Sequence, residues 1–290
     1  MTEKIGVIGL GNMGGAMSAN LAKKGFEVYG YDPLEARQAE LRGAGGKIMT
    51  QDEIAKNCGI IILALPSVKA LEENIAVITS LAKPGTIILE TSTLPVDDKI
   101  RLNKTLEGTG IIMLDAPLSG TGAMAKTANI TVFVSGDEAA ANKVVPVIEA
   151  VSRGNDYLGE FGNGMKMKCA ANLMVALHNV VAAEGMLLAT RFGLTAQMVY
   201  DVLSKSAATS RMFEVRGPMM VKGVYEPPSF TIRLMKKDLD IIHEAVQSLG
   251  AATPLFETVL SVYDDGLKTH PDQDTAAVYA VLDNRSKRGS

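Results

Sequence analysis

Lys168 and Asn172 stand four residues apart in the run Gly162-Asn163-Gly164-Met165-Lys166-Met167-Lys168-Cys169-Ala170-Ala171-Asn172. On a helix that spacing puts both on one face, so an ammonium and a carboxamide can address the same small oxygenated molecule. Far upstream, Gly9-Leu10-Gly11-Asn12-Met13-Gly14 has the spacing of a dinucleotide fingerprint. The two features together describe hydride chemistry. Oxidising an alcohol requires a group that takes the hydroxyl proton as hydride leaves for a nicotinamide; reducing the carbonyl requires the same group to return it. A lysine withdrawn from water can do both, and its charged form steadies negative charge developing on oxygen. Asn172 can hold the same hydroxyl or the lysine itself. The competing reading of Lys168, as of Lys166, is a surface lysine on an amphipathic helix.

The fingerprint sits where its physics requires, between the strand-like Ile5 to Ile8 and the amphipathic stretch Met13 to Lys24. Gly9 permits a tight turn, Gly11 lets backbone approach a pyrophosphate, and Gly14 lets helix and sheet pack closely, while Leu10, Asn12 and Met13 complete the cradle. Asp32 follows the next strand, where a carboxylate hydrogen-bonds the adenosine ribose and repels a 2'-phosphate. NAD is therefore expected over NADP, tempered by the nearby Arg37. Asp32-Pro33 is equally apt for a turn and helix start. Leu65-Pro66-Ser67 and Thr91-Ser92-Thr93-Leu94-Pro95 end two further apolar strands, at the carboxyl edge where doubly wound sheets bind ligands. Taken singly, both are also ordinary turns and caps.

Asp115-Ala116-Pro117-Leu118-Ser119-Gly120-Thr121-Gly122-Ala123 follows another strand in the same way. Ser119, Gly120 and Thr121 offer hydroxyl and backbone N–H donors, a set suited to a substrate carboxylate. A plain turn is the alternative. Ser119 is not framed as in a serine-hydrolase elbow, His178, His243 and His270 stand in no telling constellation, and no metal site is expected.

These residues need a scaffold, and the pattern supplies one. Ile5–Ile8, 27–31, 60–64, 86–89, 111–114 and 130–134 are short β-branched runs alternating with helix-like segments, several apolar throughout. Strands buried on both faces of a parallel sheet look like this. After Gly164 the texture becomes Ala, Leu, Met and Val at helical spacing, with no convincing strand. Met165 to Phe192 is expected as one helix about 40 Å long, closed by Gly193. Further helices are expected near 196–204, 210–221, 231–249, 254–268 and 275–284. The expected fold is an α/β Rossmann-type doubly wound parallel sheet followed by an all-α domain. The dinucleotide-binding domain should span 1–163 and the helical substrate and oligomerisation domain 164–290. The long helix, apolar around much of its circumference, needs neighbours on several sides, and a second subunit can supply some.

A formal charge of -3 with no clustered basic surplus gives nucleic-acid binding no electrostatic support. The apolar stretch Leu173 to Ala189 is broken by His178, Asn179 and Glu184, reading as a buried helix better than a membrane span. Cys58 and Cys169 form no disulfide framework or metal spacing, and no export signal precedes Lys4. A cytoplasmic setting is expected.

Taken together, Gly9 to Gly14, Asp115 to Gly120, Gly162 to Asn172 and Phe230 to Asp238 resemble the β-hydroxyacid dehydrogenase family, which includes 3-hydroxyisobutyrate dehydrogenase and the glyoxylate or tartronate semialdehyde reductases. The resemblance covers nearly the whole chain. It implies a Rossmann domain joined to a helical domain that assembles into homodimers or homotetramers. It further implies Lys168 as the catalytic residue, Ser119, Gly120 and Asn172 as substrate contacts, and Leu65, Pro66, Thr93 and Lys237 near the cofactor. Two departures stand out: Thr121 occupies a position where the family commonly has a second glycine, and Ala128-Asn129-Ile130 replaces its Gly-Thr-Leu. The implied reaction is NAD-dependent oxidation of a short β-hydroxyacid to its semialdehyde. The alternatives are an NAD(P)H-dependent glyoxylate or semialdehyde reductase and a nucleotide-binding protein without chemistry.

Overall fold

Strands that are apolar at every position have two faces to bury, and the sheet shows how these do it. The computed structural model describes residues 3–288. Six parallel strands, β1 (Lys4–Ile8), β2 (Glu27–Tyr31), β3 (Lys47–Ile48), β4 (Ile60–Leu63), β5 (Ile87–Glu90) and β6 (Ile112–Asp115), stand in the order β3-β2-β1-β4-β5-β6. Successive residues alternate between two cores. Ile5, Val7, Ile60, Ile62, Ile87, Leu89 and Leu114 enter one, and Ile8, Ile61, Leu63, Ile88 and Met113 enter the other. Helices α1 (Asn12–Lys23), α2 (Glu35–Gly43), α3 (Gln51–Asn57), α4 (Val68–Leu81) and α5 (Val96–Lys104) connect them. Ala16, Met17 and Leu21 of α1 join the first core, while Ile54 of α3 and Leu71, Ile75 and Ile78 of α4 join the second. Each fully buried aliphatic side chain contributes about 1.5–3 kcal/mol, which fixes the register because a one-residue slip would exchange the two faces. Cys58 packs in the second core, where a Cβ on Gly6 would lie 3.4 Å from its Cβ and Sγ; burial pushes its thiol up to about 11.

A smaller sheet follows. β7 (Leu118–Ser119) pairs antiparallel with β8 (Thr131–Val134), which pairs parallel with β9 (Gly154–Tyr157); α6 (Gly122–Ala125) and α7 (Glu138–Val151) intervene. The sequence pattern shows β8 but neither the two-residue β3 and β7 nor β9, whose residues Gly-Asn-Asp-Tyr carry no apolar alternation.

Beyond β9 the described residues contain no strand. Helix α8 (Asn163–Arg191) starts two residues earlier than expected and ends two residues before Gly193, whose φ of 93° suits a helix stop. It is followed by α9 (Ala196–Leu203), α10 (Arg211–Lys222), α11 (Ile232–Leu249), α12 (Pro254–Thr269), a 3-10 turn (Thr275–Ala277) and α13 (Val278–Arg288). The chain divides into two compact units, Met1–Lys168 and Cys169–Ser290, here called the sheet unit and the helical unit. Ala176, Val180, Ala183 and Met186 of α8 form a core stripe with Phe213, Met235, Leu239, Phe256 and Tyr263. Among the described residues α8 alone is long and apolar enough to cross a membrane. Its opposite face leaves Met174, Val181 and Leu188 exposed, so this stretch of the helix is buried on one side only.

Candidate active site

The turn after β1 is shaped by backbone contacts. Gly9 has φ 90°, and a Cβ there would lie 2.2 Å from the carbonyl oxygen of Ala64. At Gly14 a Cβ would lie 1.9 Å from the carbonyl oxygen of Gly9. Both positions therefore require glycine for the fold itself. Gly11 differs: a Cβ there would meet nothing of the chain within 4 Å. It also forms the N-cap of α1 with no side-chain cap, whereas α3, α4 and α7 begin on Thr50, Ser67 and Asp137. Open space above Gly11 and side-chain-uncapped N–H groups on Asn12, Met13 and Gly14 are what a pyrophosphate needs at a helix N-terminus. The residues fit a dinucleotide.

Asp32, just past β2, is buried and holds this turn from below. Its Oδ2 accepts from the N–H of Leu10 at 2.8 Å and its Oδ1 from that of Leu34 at 2.9 Å, while Gly9 N–H donates to the Tyr31 carbonyl at 2.9 Å. Each carboxylate oxygen keeps a further lone pair for a ribose hydroxyl. Arg37 is directed to Glu40, at 3.1 Å on the surface of α2. Leu65 follows β4 with its N–H donating to Ser92 Oγ at 2.8 Å, Pro66 beside it is exposed, and half-buried Thr93 follows β5. The structure thus joins Gly9 to Gly14 with Asp32, and a Cβ on Gly9 would stand 3.6 Å from the side chain of Leu65.

Ser119 closes β7. Gly120 follows at φ 146°, where a Cβ would lie 2.5 Å from Ile130 Cγ2. Thr121 caps the short α6, its Oγ1 accepting from Met124 N–H at 3.3 Å. The segment that departs from the family pattern turns through Ala128, which takes φ 53° without being glycine.

Beneath these strand ends lies a charge cluster that the sequence reading missed. Lys99 on α5, fully buried, hydrogen-bonds Asp115 Oδ1 at 2.5 Å and the Ser92 carbonyl at 3.1 Å, and its Nζ is 2.5 Å from Glu90 Oε2. Burial pulls the Lys99 ammonium down, but the two carboxylates outweigh it and hold the group above its ordinary value. Its sequence neighbours Asp97, Asp98 and Arg101 look like an exposed charged helix, and no local pattern marks Lys99 as different.

Two neighbouring lysines that share the surface-helix reading are separated by burial. Lys166 is exposed and pairs with Asn163 at 3.0 Å, whereas Lys168, one turn into α8, is only 8% accessible. In the helical unit, Asn172 Nδ2 donates to Asp238 Oδ2 at 2.8 Å, and Lys237 Nζ lies 3.3 Å from Asp238 Oδ1. In the charged run Lys236-Lys237-Asp238 a half-exposed Lys237 stands beside a buried Asp238, with Lys236 paired to Asp240 and Asp264. The available signal was position. Asp238 adjoins the inward stripe Ile232, Met235, Leu239 and Ile242 of α11.

A doubly wound sheet with a glycine turn open to an anion defines a dinucleotide-binding protein of the Rossmann class. Comparison narrows the class. The family model for the NAD-binding domain of 6-phosphogluconate dehydrogenase matches residues 4–177, and that for the NAD-binding domain of NADP-dependent 3-hydroxyisobutyrate dehydrogenase matches 162–282. A probable 3-hydroxyisobutyrate dehydrogenase of Mycobacterium tuberculosis is 30% identical over 289 residues, covering 97% of this chain and 98% of the relative. Glyoxylate/succinic semialdehyde reductase 2, chloroplastic, of Arabidopsis thaliana is 28% identical, covering 97% and 80%. The solved structure of Mycobacterium tuberculosis 3-hydroxyisobutyrate dehydrogenase with L-serine superposes with a TM-score of 0.89 at 29% identity, covering 97% of this chain and 99% of that one. The chain belongs to the β-hydroxyacid dehydrogenase family.

Proposed function

We propose that the protein oxidises a short β-hydroxyacid of the 3-hydroxyisobutyrate type to its semialdehyde, with NAD as the acceptor and Lys168 as the proton-transfer residue. The observation that carries this reading is Lys168 itself: a lysine held almost wholly out of water in the first turns of α8, next to an exposed Lys166 that shows what an ordinary lysine does there. When bound, the nicotinamide supplies the hydride acceptor. The chain's own residues do the rest. Gly11 and the first N–H groups of α1 hold the pyrophosphate, Asp32 takes the ribose hydroxyls, and Leu65, Pro66, Thr93 and Lys237 contact the remainder of the cofactor. Ser119, the N–H of Gly120 and Thr121 receive the substrate carboxylate. As the C–H bond gives up its electron pair, the hydroxyl proton passes to the Lys168 amine and the C–O bond becomes a carbonyl. Asn172, fixed by Asp238, hydrogen-bonds the same oxygen. Reduction runs these transfers backwards, which suits the glyoxylate and semialdehyde substrates in the Arabidopsis relative's name.

The NAD preference rests on Asp32 and on the commitment of Arg37 to Glu40. The exposed apolar face of α8 supports a homodimer or homotetramer, read by light scattering. The deciding experiment is steady-state turnover of 3-hydroxyisobutyrate, L-serine, succinic semialdehyde and glyoxylate with each cofactor. Saturable activity with NAD and a β-hydroxyacid, lowered about a thousandfold but still measurable in Lys168→Ala, is the expected result. Full turnover by a folded Lys168→Ala variant overturns the role of Lys168, and NAD binding without turnover on any of the four substrates overturns the reaction.

A further inference from the structure

Lys168 lies one turn past Met165, and the start of α8 is held in an unusual way. Met165 N–H donates to Asp115 Oδ2 at 2.7 Å, and Gly164 N–H donates to Ser135 Oγ at 2.9 Å. These are N–H groups of the helix's first turn, which has no intrahelical partner for them. Both acceptors come from the edge of the sheet, and they are locked to each other: Asp115 N–H donates to the Ser135 carbonyl at 2.9 Å and Ser135 N–H to that of Asp115 at 2.8 Å. Gly164 lies so close to this edge that a Cβ would stand 2.5 Å from the Phe133 carbonyl oxygen and 3.0 Å from Asp115 Oδ2. The other oxygen of Asp115 is held by buried Lys99. One cation against the Asp115 and Glu90 carboxylates leaves an excess negative charge, and the positive end of the α8 dipole faces it.

We propose that Asp115, with Ser135 beside it, is the positioning residue for Lys168: it fixes the height and rotation of the first turn of α8 and so the place of the Lys168 Nζ. The carboxylate touches neither cofactor nor substrate in this scheme. It acts through one helical turn, a lever short enough that displacement of Met165 passes undiminished to Lys168. Side chains on a helix lean toward its N-terminus, which brings the stem of Lys168 back over the clamped turn. The inference rests on the proposed role of Lys168, and its test separates the two.

The matched pair is Asp115→Asn and Glu90→Gln. Each removes one carboxylate charge from the same buried cluster, but only Asp115 touches α8. Asp115→Asn is expected to lower kcat 10- to 100-fold, as a displacement of about 1 Å at a reacting group does, with the dissociation constant for NAD within about twofold of the parent enzyme. Glu90→Gln is expected to keep kcat within about threefold at a comparable shift in Tm. The decisive arm is a double-mutant cycle, because residues acting through one another are not additive. Added to Lys168→Ala, Asp115→Asn should lower the residual kcat no further. If Asp115→Asn retains parental kcat, or costs as much in the Lys168→Ala background as in the parent, the positioning role is overturned. If Lys168→Ala itself turns over normally, the reading beneath it fails first. Should Asp115→Asn not fold, Ser135→Ala removes the Gly164 acceptor and the hydroxyl's donations to Asp115 Oδ2 at 3.3 Å and the Asp115 carbonyl at 3.4 Å, while the backbone pairing of the two residues and the Met165 N–H to Asp115 bond stay in place. A 3- to 10-fold loss of kcat that disappears on the Lys168→Ala background supports the clamp, and its absence overturns it.

Discussion

Each unit is organised around a buried aspartate facing a buried cation, and the two arrangements solve different problems. In the sheet unit Asp115 faces Lys99 with Glu90 as a second carboxylate, and its free oxygen ties down a helix start. In the helical unit Asp274 faces Arg216 at 3.1 Å and accepts from Ser229 N–H and Oγ, Phe230 N–H and Ala276 N–H. That carboxylate collects a loop, fixing the approach to Thr231, whose Oγ1 caps α11 and thus sets where Lys237 and Asp238 begin. The difference teaches that a buried ion pair can serve as a joint whose value lies in geometry. Ion pairs of this kind contribute little net stability, but removing one partner is costly.

The largest break in the comparison comes from Lys168, the residue that the sheet-unit joint is proposed to position. Lys168→Ala should lower kcat about a thousandfold while leaving NAD affinity, read by fluorescence quenching, nearly intact. No single substitution in the helical unit short of unfolding it should match that loss. Next are the packing limits of each unit. Gly14→Ala forces a methyl into the Gly9 carbonyl and should cost about 3 kcal/mol or more in unfolding free energy, together with cofactor binding. Asp274→Asn strands Arg216 and should cost about 3–5 kcal/mol, measured by chemical denaturation, without a direct effect on NAD binding.

A finer test uses pH. Burial raises the Asp274 carboxyl, but Arg216 and the N–H donors outweigh it and hold the group below its ordinary value. A depressed carboxylate contributes stability that is full above its unfolded value and is lost as pH falls through the folded one. The raised Lys99 has the opposite sense: its contribution is full below the ordinary lysine value and is lost as pH rises through the folded one. Hydrogen exchange should therefore show peptides around Asp274 opening in acid below about pH 4, and those around Lys99 opening only in strong alkali. Asp274→Asn should flatten the acid limb.

The smallest expected effect concerns Ala128. Its φ of 53° strains an L-residue by about 1 kcal/mol, so Ala128→Gly should raise stability by up to that amount, seen as a modest increase in Tm.

The order in which these features could be read from the sequence follows from their range. Gly9 to Gly14, the alternating strands and the long helix expected over 165–192 show in patterns of residues a few positions apart, and they were legible in type and spacing. Lys168 was legible as a candidate from its spacing to Asn172, but the burial that sets it apart from Lys166 is a property of the folded unit. β3 and β9 escaped since a two-residue strand and a polar one carry no period. Lys99, Glu90 and Asp115 come from separate elements, and nothing local to any of them signals the others. Asp238 was hidden by its neighbours: two lysines made a buried carboxylate look like part of a solvated face.

The core position of Cys58 has a practical corollary. A thiol packed against Gly6 and pushed up to about 11 is neither reachable nor ionised at neutral pH, and reactivity toward alkylating reagents belongs to the thiolate. The chain's other sulfhydryl, Cys169, is half-buried and follows Lys168 directly. A maleimide dye would attach there alone, placing an optical reporter next to the proposed proton carrier in an otherwise unaltered polypeptide.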